Sequence, residues 1–213
     1  MSRYLLFNKP YLVLPSFSDP DFERGEIAEP RPTLADYIAV AGVYPAGRLD
    51  YDSEGLLFLT DDGDLAHRIT HPHFHHPKTY LVQVEGIPEE SALEKLRRGG
   101  LAIKEYRTAP AQARLLREEP ALWPRVPPIR ERPSIPTAWL ELTLTEGKKR
   151  QVRRMTAAVG YPTLRLVRAS IGPLRLGALP PGQWRDATSE EMAALRALLR
   201  QGQRPRDKRR TRR

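Results

Sequence analysis

The sequence contains no cysteine among its 213 residues, which excludes disulfides, thiolate zinc sites and iron–sulfur clusters. The lack of cysteine also fits a reducing compartment. No apolar run approaches the roughly 18 residues that a membrane helix requires. Asn8, Lys9 and Pro10 interrupt the apolar N-terminal stretch, which is therefore unlike a secretory signal. We expect a soluble, cytoplasmic protein that does not bind membranes.

Positive charge is concentrated in the last ten residues. Residues 204–213 contain six arginines, one lysine and one aspartate, so they carry +6 of the total net charge of +9. Tails of like charge are typically disordered and bind nucleic acid through its phosphates, although such a tail also acts as a simple solubilising segment. We expect a folded domain over residues 1–202 and a disordered basic tail over residues 203–213.

Patterns of apolar and polar residues predict a mixture of strands and helices. Strands are expected at residues 3–8, 56–60, 79–85, 138–145 and 164–171, and helices at residues 34–40, 64–70, 88–97, 149–159 and 189–199. Residues 117–136 contain six prolines and are expected to form a long loop. Several connections between strands are short, which implies antiparallel pairing. The sequence therefore predicts an α+β fold with a mixed, mainly antiparallel sheet.

Two segments carry residues suited to chemistry. GRLDYDSEGLLFLTDDGD, residues 47–64, places Arg48 and Asp50 on a turn before an apolar strand. The residues alone leave Asp50 open as a nucleophile, a metal ligand or a helix cap. EGKKRQVRRMTAAV, residues 146–159, predicts a helix with a buried apolar face and a basic face formed by Lys149, Arg150, Arg153 and Arg154. That basic face is either a solvated surface or a phosphate-binding surface with one arginine turned towards a carboxylate.

These segments resemble motifs of the pseudouridine synthases that modify small- and large-subunit ribosomal RNA. Residues 47–64 resemble the motif around their required aspartate, and residues 146–168 resemble their basic helix and the strand after it. FNKP, residues 7–10, and KTYLVQVEG, residues 78–86, also match, in the family's order. Residues 122–140 resemble the corresponding segment of the short E-type enzymes that act on large-subunit rRNA. The expected lack of an N-terminal S4 RNA-binding domain is also similar to those enzymes.

The resemblance implies a pseudouridine synthase fold, with helices flanking the mixed sheet and a central catalytic cleft. It implies that residues 1–202 are a catalytic domain that isomerises one uridine of 23S rRNA, near the peptidyl-transferase region, to pseudouridine. Asp50 matches the required aspartate, Tyr80 matches the tyrosine that stacks on the target base, and Arg153 matches the arginine that pairs with the aspartate. The expected substrate contacts are Arg48, Leu166, Lys149, Arg150 and Arg154.

The chemistry of this reaction agrees with those roles. Flipping a uridine out of a stack costs a few kcal/mol, and stacking on an aromatic ring such as Tyr80 returns about 1–3 kcal/mol. An ionised Asp50 serves as nucleophile or as partner of a sugar cation, and a guanidinium nearby favours its charged form. The isomerisation is neither a redox nor a hydrolytic reaction, so we expect no cofactor and no metal.

The expected partner is 23S rRNA or a large-subunit assembly intermediate, and the expected state is a monomer. A non-catalytic RNA-binding module for ribosome assembly is the alternative. All five histidines lie within residues 67–76, which we interpret as an RNA-facing loop that leads to Tyr80 rather than as a zinc site. Trp123 and Trp139 flank the proline-rich stretch, where they serve either local packing or contact with RNA.

Overall fold

A computed structural model of the protein describes residues 2–71, 76–104, 106–129 and 132–201. The predicted tail at residues 203–213, and His73 and His75 of the histidine cluster, lie outside the described residues. The strands are β1 (Tyr4–Lys9), β2 (Tyr44–Pro45), β3 (Glu54–Thr60), β4 (Lys78–Glu85), β5 (Ala102–Ile103), β6 (Tyr106–Arg107), β7 (Gln112–Leu115), β8 (Thr137–Leu144), β9 (Thr163–Ile171), β10 (Leu174–Arg175) and β11 (Trp184–Asp186). The helices are α1 (Pro20–Glu23), α2 (Gly63–Thr70), α3 (Glu90–Arg98), α4 (Gln151–Ala158) and α5 (Ser189–Gln201).

Nine strands form one mixed sheet. Its main order is β11-β1-β3-β9-β4-β8-β7, with β2 paired to β3 and β10 paired to β9. Among the described residues, β3 and β9 form the one parallel pair, and the other pairs are antiparallel. The prediction of an α+β fold with a mixed, mainly antiparallel sheet is therefore confirmed.

Strand β3 is covered on both faces. All seven of its residues are buried. Leu56 and Phe58 pack in a cluster with α2 and α5, whereas Leu57 and Leu59 pack in a second cluster with Leu5 and other residues on the opposite face. Burial on both faces explains why this strand reads as a continuous apolar run rather than as an alternating one.

The other half of the sheet has its own core. Strands β4, β8 and β7 pack against α3 and α4 in a cluster that includes Tyr80, Leu142, Met155 and Leu166. The two halves meet at the parallel pair of β3 and β9. In this pair Glu54 lies opposite Val167 and Gly55 lies opposite Arg168. The sheet therefore has a short central junction, and the segment that leads into β3 lies there.

Two predicted helices differ from those in the structure. Helix α4 begins at Gln151 rather than at Lys149, because Arg150 adopts a left-handed backbone conformation with φ of 53° and cannot continue a right-handed helix. The segment expected as a helix over 34–40 is only a 3₁₀ turn over Leu34–Asp36. Thr188 and Glu191 form a capping box at the start of α5, because they exchange hydrogen bonds between side chain and backbone.

The proline-rich loop has no helix or strand in its described parts, residues 117–129 and 132–136. The Trp123 carbonyl accepts a hydrogen bond from Arg165 at 2.9 Å, and the Arg125 guanidinium lies over the Tyr11 ring at 4.2 Å. Trp139 is buried in β8. The burial of Trp139 supports its packing role, and the contacts of Trp123 and Arg125 hold the loop against β9 and the segment after β1. None of the helices in the described part of the chain is both long and apolar enough to cross a membrane.

Candidate active site

Residues 47–53, called here the Asp50 loop, connect β2 to β3 and are held from several directions. Leu49 anchors the loop in the core, and the Ser53 amide closes a turn by donating to the Asp50 carbonyl at 3.0 Å. Arg168 of β9 donates to the Arg48 carbonyl at 3.3 Å. Side chains of β1, β9 and α4 donate to backbone carbonyls of the loop and thus fix its path, which gives any functional group on the loop rigid support.

The Asp50 loop forms one wall of a cavity of about 560 Å³. This volume lies within the range of about 300–1,000 Å³ that is usual for small-molecule sites. Six of the eight residues predicted from the sequence line the cavity, namely Arg48, Asp50, Tyr80, Lys149, Arg150 and Leu166. The structure therefore brings together residues from four separate segments of the chain.

The apolar floor of the cavity comes from two neighbouring strands. Tyr80 of β4 lies opposite Arg168 of β9, and Val82 lies opposite Leu166. Tyr80 and Leu166 both pack in the same core cluster as Leu49, with only 9% and 4% of their surfaces exposed. A ring and an aliphatic side chain held in this way provide a preformed surface for a flat base.

The Asp50 carboxylate faces this cavity without a direct partner. Within the described residues, its side chain takes part in no hydrogen bond and no ion pair. Asp50 nevertheless favours the charged forms of Lys9, Arg150 and Arg153, so the three cations lie within electrostatic reach of it. The carboxylate is therefore accessible and surrounded by positive charge.

The family resemblance implied a direct ion pair between Arg153 and Asp50. The structure instead places Arg153 in an ion pair with Asp52. Its Nε lies 3.3 Å from Asp52 Oδ2, and its Nη2 donates to the Asp52 carbonyl at 2.6 Å. Arg153 also donates to the Thr163 carbonyl at 3.4 Å. Its guanidinium thus lies behind the Asp50 loop rather than among the residues that line the cavity.

The other basic residues of this segment occupy different positions. Arg150 donates two hydrogen bonds to the Asp52 carboxylate, at 2.7 and 2.8 Å. Lys149 is exposed at the rim of the cavity. Arg154 does not line the cavity, and its electrostatic partner is Tyr106, whose pKa is raised by burial and by Glu146 while Arg154 opposes the rise. The residues of the predicted basic face therefore occupy three positions. Lys149 lies at the rim of the cavity, Arg150 and Arg153 bind Asp52, and Arg154 lies outside the cavity lining.

Residues 3–158 match the family described as RNA pseudouridylate synthase. The chain belongs to this family. Its enzyme class is therefore that of the RNA pseudouridine synthases.

Similar proteins agree with this assignment. The chain is 59% identical over 177 residues to the ribosomal large subunit pseudouridine synthase E of Xanthomonas axonopodis pv. citri (strain 306), which covers 83% of the chain and 90% of that relative. It is 52% identical over 184 residues to the corresponding protein of Vibrio parahaemolyticus serotype O3:K6 (strain RIMD 2210633), covering 86% of the chain and 73% of that relative. A crystal structure of a pseudouridylate synthase superposes with a TM-score of 0.74 at 31% identity, covering 92% of the chain and 74% of that structure.

The synthase also contains buried cations that the sequence analysis did not assign to the site. Lys9 is fully buried and donates to the carbonyls of Pro10, Val13 and Tyr51, at 2.8, 2.7 and 3.4 Å. Burial lowers its pKa to about 7, although Glu54 and both aspartates of the loop oppose the shift. The FNKP motif could have pointed to Lys9 as a buried cation, because a lysine within an apolar strand is rarely buried unless it has a partner.

Two further cations, Arg168 and Lys78, lie near the Asp50 loop. Arg168 is only 3% exposed, and besides the Arg48 carbonyl it donates to the Leu56 carbonyl at 2.8 Å. Lys78 lines the cavity, and burial together with Arg168 lowers its pKa to about 8. The synthase thus presents a carboxylate, an aromatic ring and an aliphatic floor within a cavity whose surroundings are cationic. This arrangement suits a flipped nucleotide, which has a flat base, a sugar and anionic phosphates.

Proposed function

We propose that this synthase isomerises a specific uridine of 23S rRNA to pseudouridine and that Asp50 is its catalytic carboxylate. The observation that carries the proposal is the Asp50 carboxylate, which has no hydrogen bond or ion pair among the described residues and lines a nucleotide-sized cavity together with Tyr80 and Leu166. The similar Xanthomonas and Vibrio proteins are ribosomal large subunit pseudouridine synthases, which supports the large ribosomal subunit as the source of the RNA. One chain supplies every proposed site residue, which supports a monomer as the active form.

In this proposal the target uridine leaves its stack and enters the cavity, which costs a few kcal/mol. The uracil stacks on Tyr80 and contacts Leu166 below it, which returns about 1–3 kcal/mol. Arg48, Lys149, Arg150 and Arg154 contact the RNA backbone. Phosphate contacts of this kind position the RNA without reading its sequence.

The reaction breaks the N1–C1′ bond, rotates the uracil and forms a C5–C1′ bond, after which C5 loses its proton to N1 or to solvent. Asp50 acts at the sugar or the base while the glycosidic bond is broken, either as a nucleophile or by stabilising positive charge on the sugar. Lys9, Arg150 and Arg153 place positive charge within electrostatic reach of this carboxylate. Arg153 does so from behind the loop.

The decisive experiment is pseudouridine mapping of 23S rRNA from cells whose only copy of this protein carries Asp50→Asn. The substitution removes the charge with little change in shape, so product formation should fall on the order of 10³-fold or more at the mapped position. Asp64→Asn is the matched control, because Asp64 is exposed in the first turn of α2 and does not line the cavity. Wild-type levels of pseudouridine with Asp50→Asn, in cells without a second enzyme for that position, would overturn the proposal.

A further inference from the structure

The Asp50 loop contains two carboxylates with different surroundings. Asp50 lines the cavity, whereas Asp52 does not. Asp52 accepts both hydrogen bonds of the Arg150 fork and lies within ion-pair distance of Arg153, at 3.3 Å. The carboxylate beside the proposed catalytic residue therefore holds both guanidinium groups.

Of the two carboxylates, Asp52 has the stronger electrostatic effect on Arg150 and Arg153. Burial lowers the pKa of Arg153, and Asp52 opposes this shift more strongly than Asp50 does. Burial raises the pKa of Asp52, but the hydrogen bond from Arg150 and the charges of both arginines outweigh it, so the pKa lies below its ordinary value. Asp50 acts on the same two arginines without contacting them. Both guanidiniums are thus within electrostatic reach of both carboxylates, and in the part of the chain that the structure describes it is Asp52 that binds them.

The backbone supports the same geometry. Arg150 adopts its left-handed conformation at the residue that precedes α4, and its side chain gives the helix no capping hydrogen bond. A non-glycine residue persists in this conformation when the surrounding structure holds it there. The bidentate pair with Asp52, across 98 residues of sequence, is the side-chain contact that holds Arg150. Arg153 lies three residues later and reaches the same loop.

We propose that Asp52 is a positioning residue that holds Arg150 and Arg153 beside Asp50, so that their positive charge lies next to the proposed catalytic carboxylate. This inference rests on the proposed function. Without the Asp52 charge, the two guanidiniums lose the carboxylate that fixes them. The positive charge beside Asp50 would then be misplaced.

The test separates the rate of the reaction from RNA binding. For Asp52→Asn with a 23S rRNA transcript, the single-turnover rate at saturating enzyme should fall by about 10- to 100-fold, as expected for a misplaced catalytic group. The RNA Kd should change by less than about threefold, because Asp52 does not line the cavity. An unchanged rate would overturn the inference. A weaker Kd with an unchanged rate would also overturn it and would assign the pair to RNA binding.

Two further variants keep the test independent of any folding defect in Asp52→Asn. Asp52→Glu retains the carboxylate and should react at a rate between those of wild type and Asp52→Asn, whereas a rate no higher than that of Asp52→Asn would contradict a role for the charge. Arg150→Gln removes the other partner of the pair. Because the two residues act together, the double variant should be no slower than the slower single variant. Additive losses would overturn the coupling.

A matched control lies elsewhere on the sheet. Glu141 of β8 accepts two hydrogen bonds from Arg114 at 2.9 Å each, and neither residue lines the cavity. Glu141→Gln removes a similar bidentate pair and should leave the rate unchanged. Asp50→Asn distinguishes the two proposals. If it is inactive while Asp52→Asn reacts normally, only the positioning role fails, and if Asp50→Asn is active, the proposed function itself fails.

Discussion

Charged residues are buried beneath the Asp50 loop, and each contacts the backbone or a partner there. Lys9 contacts three carbonyl groups, and Arg168 contacts two. Glu54 and Arg165 form a bidentate pair with distances of 2.8 and 2.9 Å and are both buried. Buried charges are costly unless they are paired or hydrogen-bonded, so these residues tie the loop to β1, β3 and β9 at a cost in desolvation.

The burial of Lys9 should make the stability of the protein depend measurably on pH. Burial lowers its pKa in the folded protein to about 7, below its ordinary value of 10.5, so the unfolded chain binds more protons between these values. The free energy of unfolding of wild type, relative to Lys9→Met, should therefore rise as the pH increases above 7 and should be nearly constant below 7. The expected rise between pH 7 and 9 is about 2 kcal/mol, since one pKa unit corresponds to about 1.4 kcal/mol.

Denaturant unfolding of both proteins at pH 6, 7, 8 and 9 measures this difference. Lys95→Met is the control, because Lys95 is exposed on α3 and its charge stays in water in both states. The control difference should be flat over the same range. A difference for Lys9→Met that is flat or falls with pH would contradict the burial of a titrating lysine at this position.

At the scale of the elements, β3 and β9 approach each other closely at Gly55, next to the Asp50 loop. Gly55 has φ of 102°, and a Cβ added there would lie 2.5 Å from the Arg168 carbonyl oxygen and 2.7 Å from its amide nitrogen. Both contacts are with backbone, which cannot rotate away as a side chain can. The same strand junction places Arg168 where it contacts the Arg48 carbonyl. The close approach of the two strands thus helps to position the Asp50 loop.

Gly55→Ala should consequently destabilise the protein by about 3 kcal/mol or more, because it adds both a steric clash and an unfavourable φ. It should also slow pseudouridine formation, since the strands must separate next to the Asp50 loop. Gly63→Ala is a matched control at the first residue of α2, where an added Cβ meets nothing within 4 Å. Alanine favours a helix by up to about 1 kcal/mol over glycine, so this control should be neutral or stabilising. Equal denaturation midpoints for the two variants would contradict the argument.

At the scale of the whole molecule, charge is unevenly distributed. Residues 204–213 carry +6, which leaves only +3 for the remaining 203 residues. Three of the cations that line the cavity, Lys78, Arg150 and Arg168, are paired with a carboxylate or with carbonyl groups. Long-range attraction to RNA should therefore come largely from the terminal segment, while the cavity selects and holds the target nucleotide.

Deletion of residues 204–213 should lower the affinity for rRNA and flatten its dependence on salt. Each phosphate that the tail neutralises contributes about 0.7 to the slope of log K against log salt for single-stranded RNA. Turnover at saturating RNA should survive, because no proposed site residue lies in this segment. A same-length tail with each Arg and Lys replaced by Ser is the control and should behave like the deletion. An unchanged salt slope in binding measurements would show that the tail does not contact the RNA.

The sequence predicted the long elements better than the short ones. β3 and β4 were predictable because a continuous apolar run and a period-two alternation are strong local signals. β7 and β11 were missed, since four and three residues carry little pattern and depend on pairing with β8 and β1. The helix boundary at Arg150 was also missed, because its left-handed backbone depends on the partner across the fold. Local patterns thus identify elements, while pairing defines their ends.

The sequence by itself determined the family, the order of the motifs and the segments that meet at the site, because these depend on residue identity and local spacing. Only the tertiary structure decided which carboxylate binds the arginines. Arg150 and Arg153 contact Asp52 across 98 and 101 residues of chain, and Asp50, two positions away, is left unpaired among the described residues. A choice between neighbouring carboxylates depends on distances of about 3 Å in hydrogen-bonding geometry. Those distances arise from the packing of distant strands and helices, which no local pattern records.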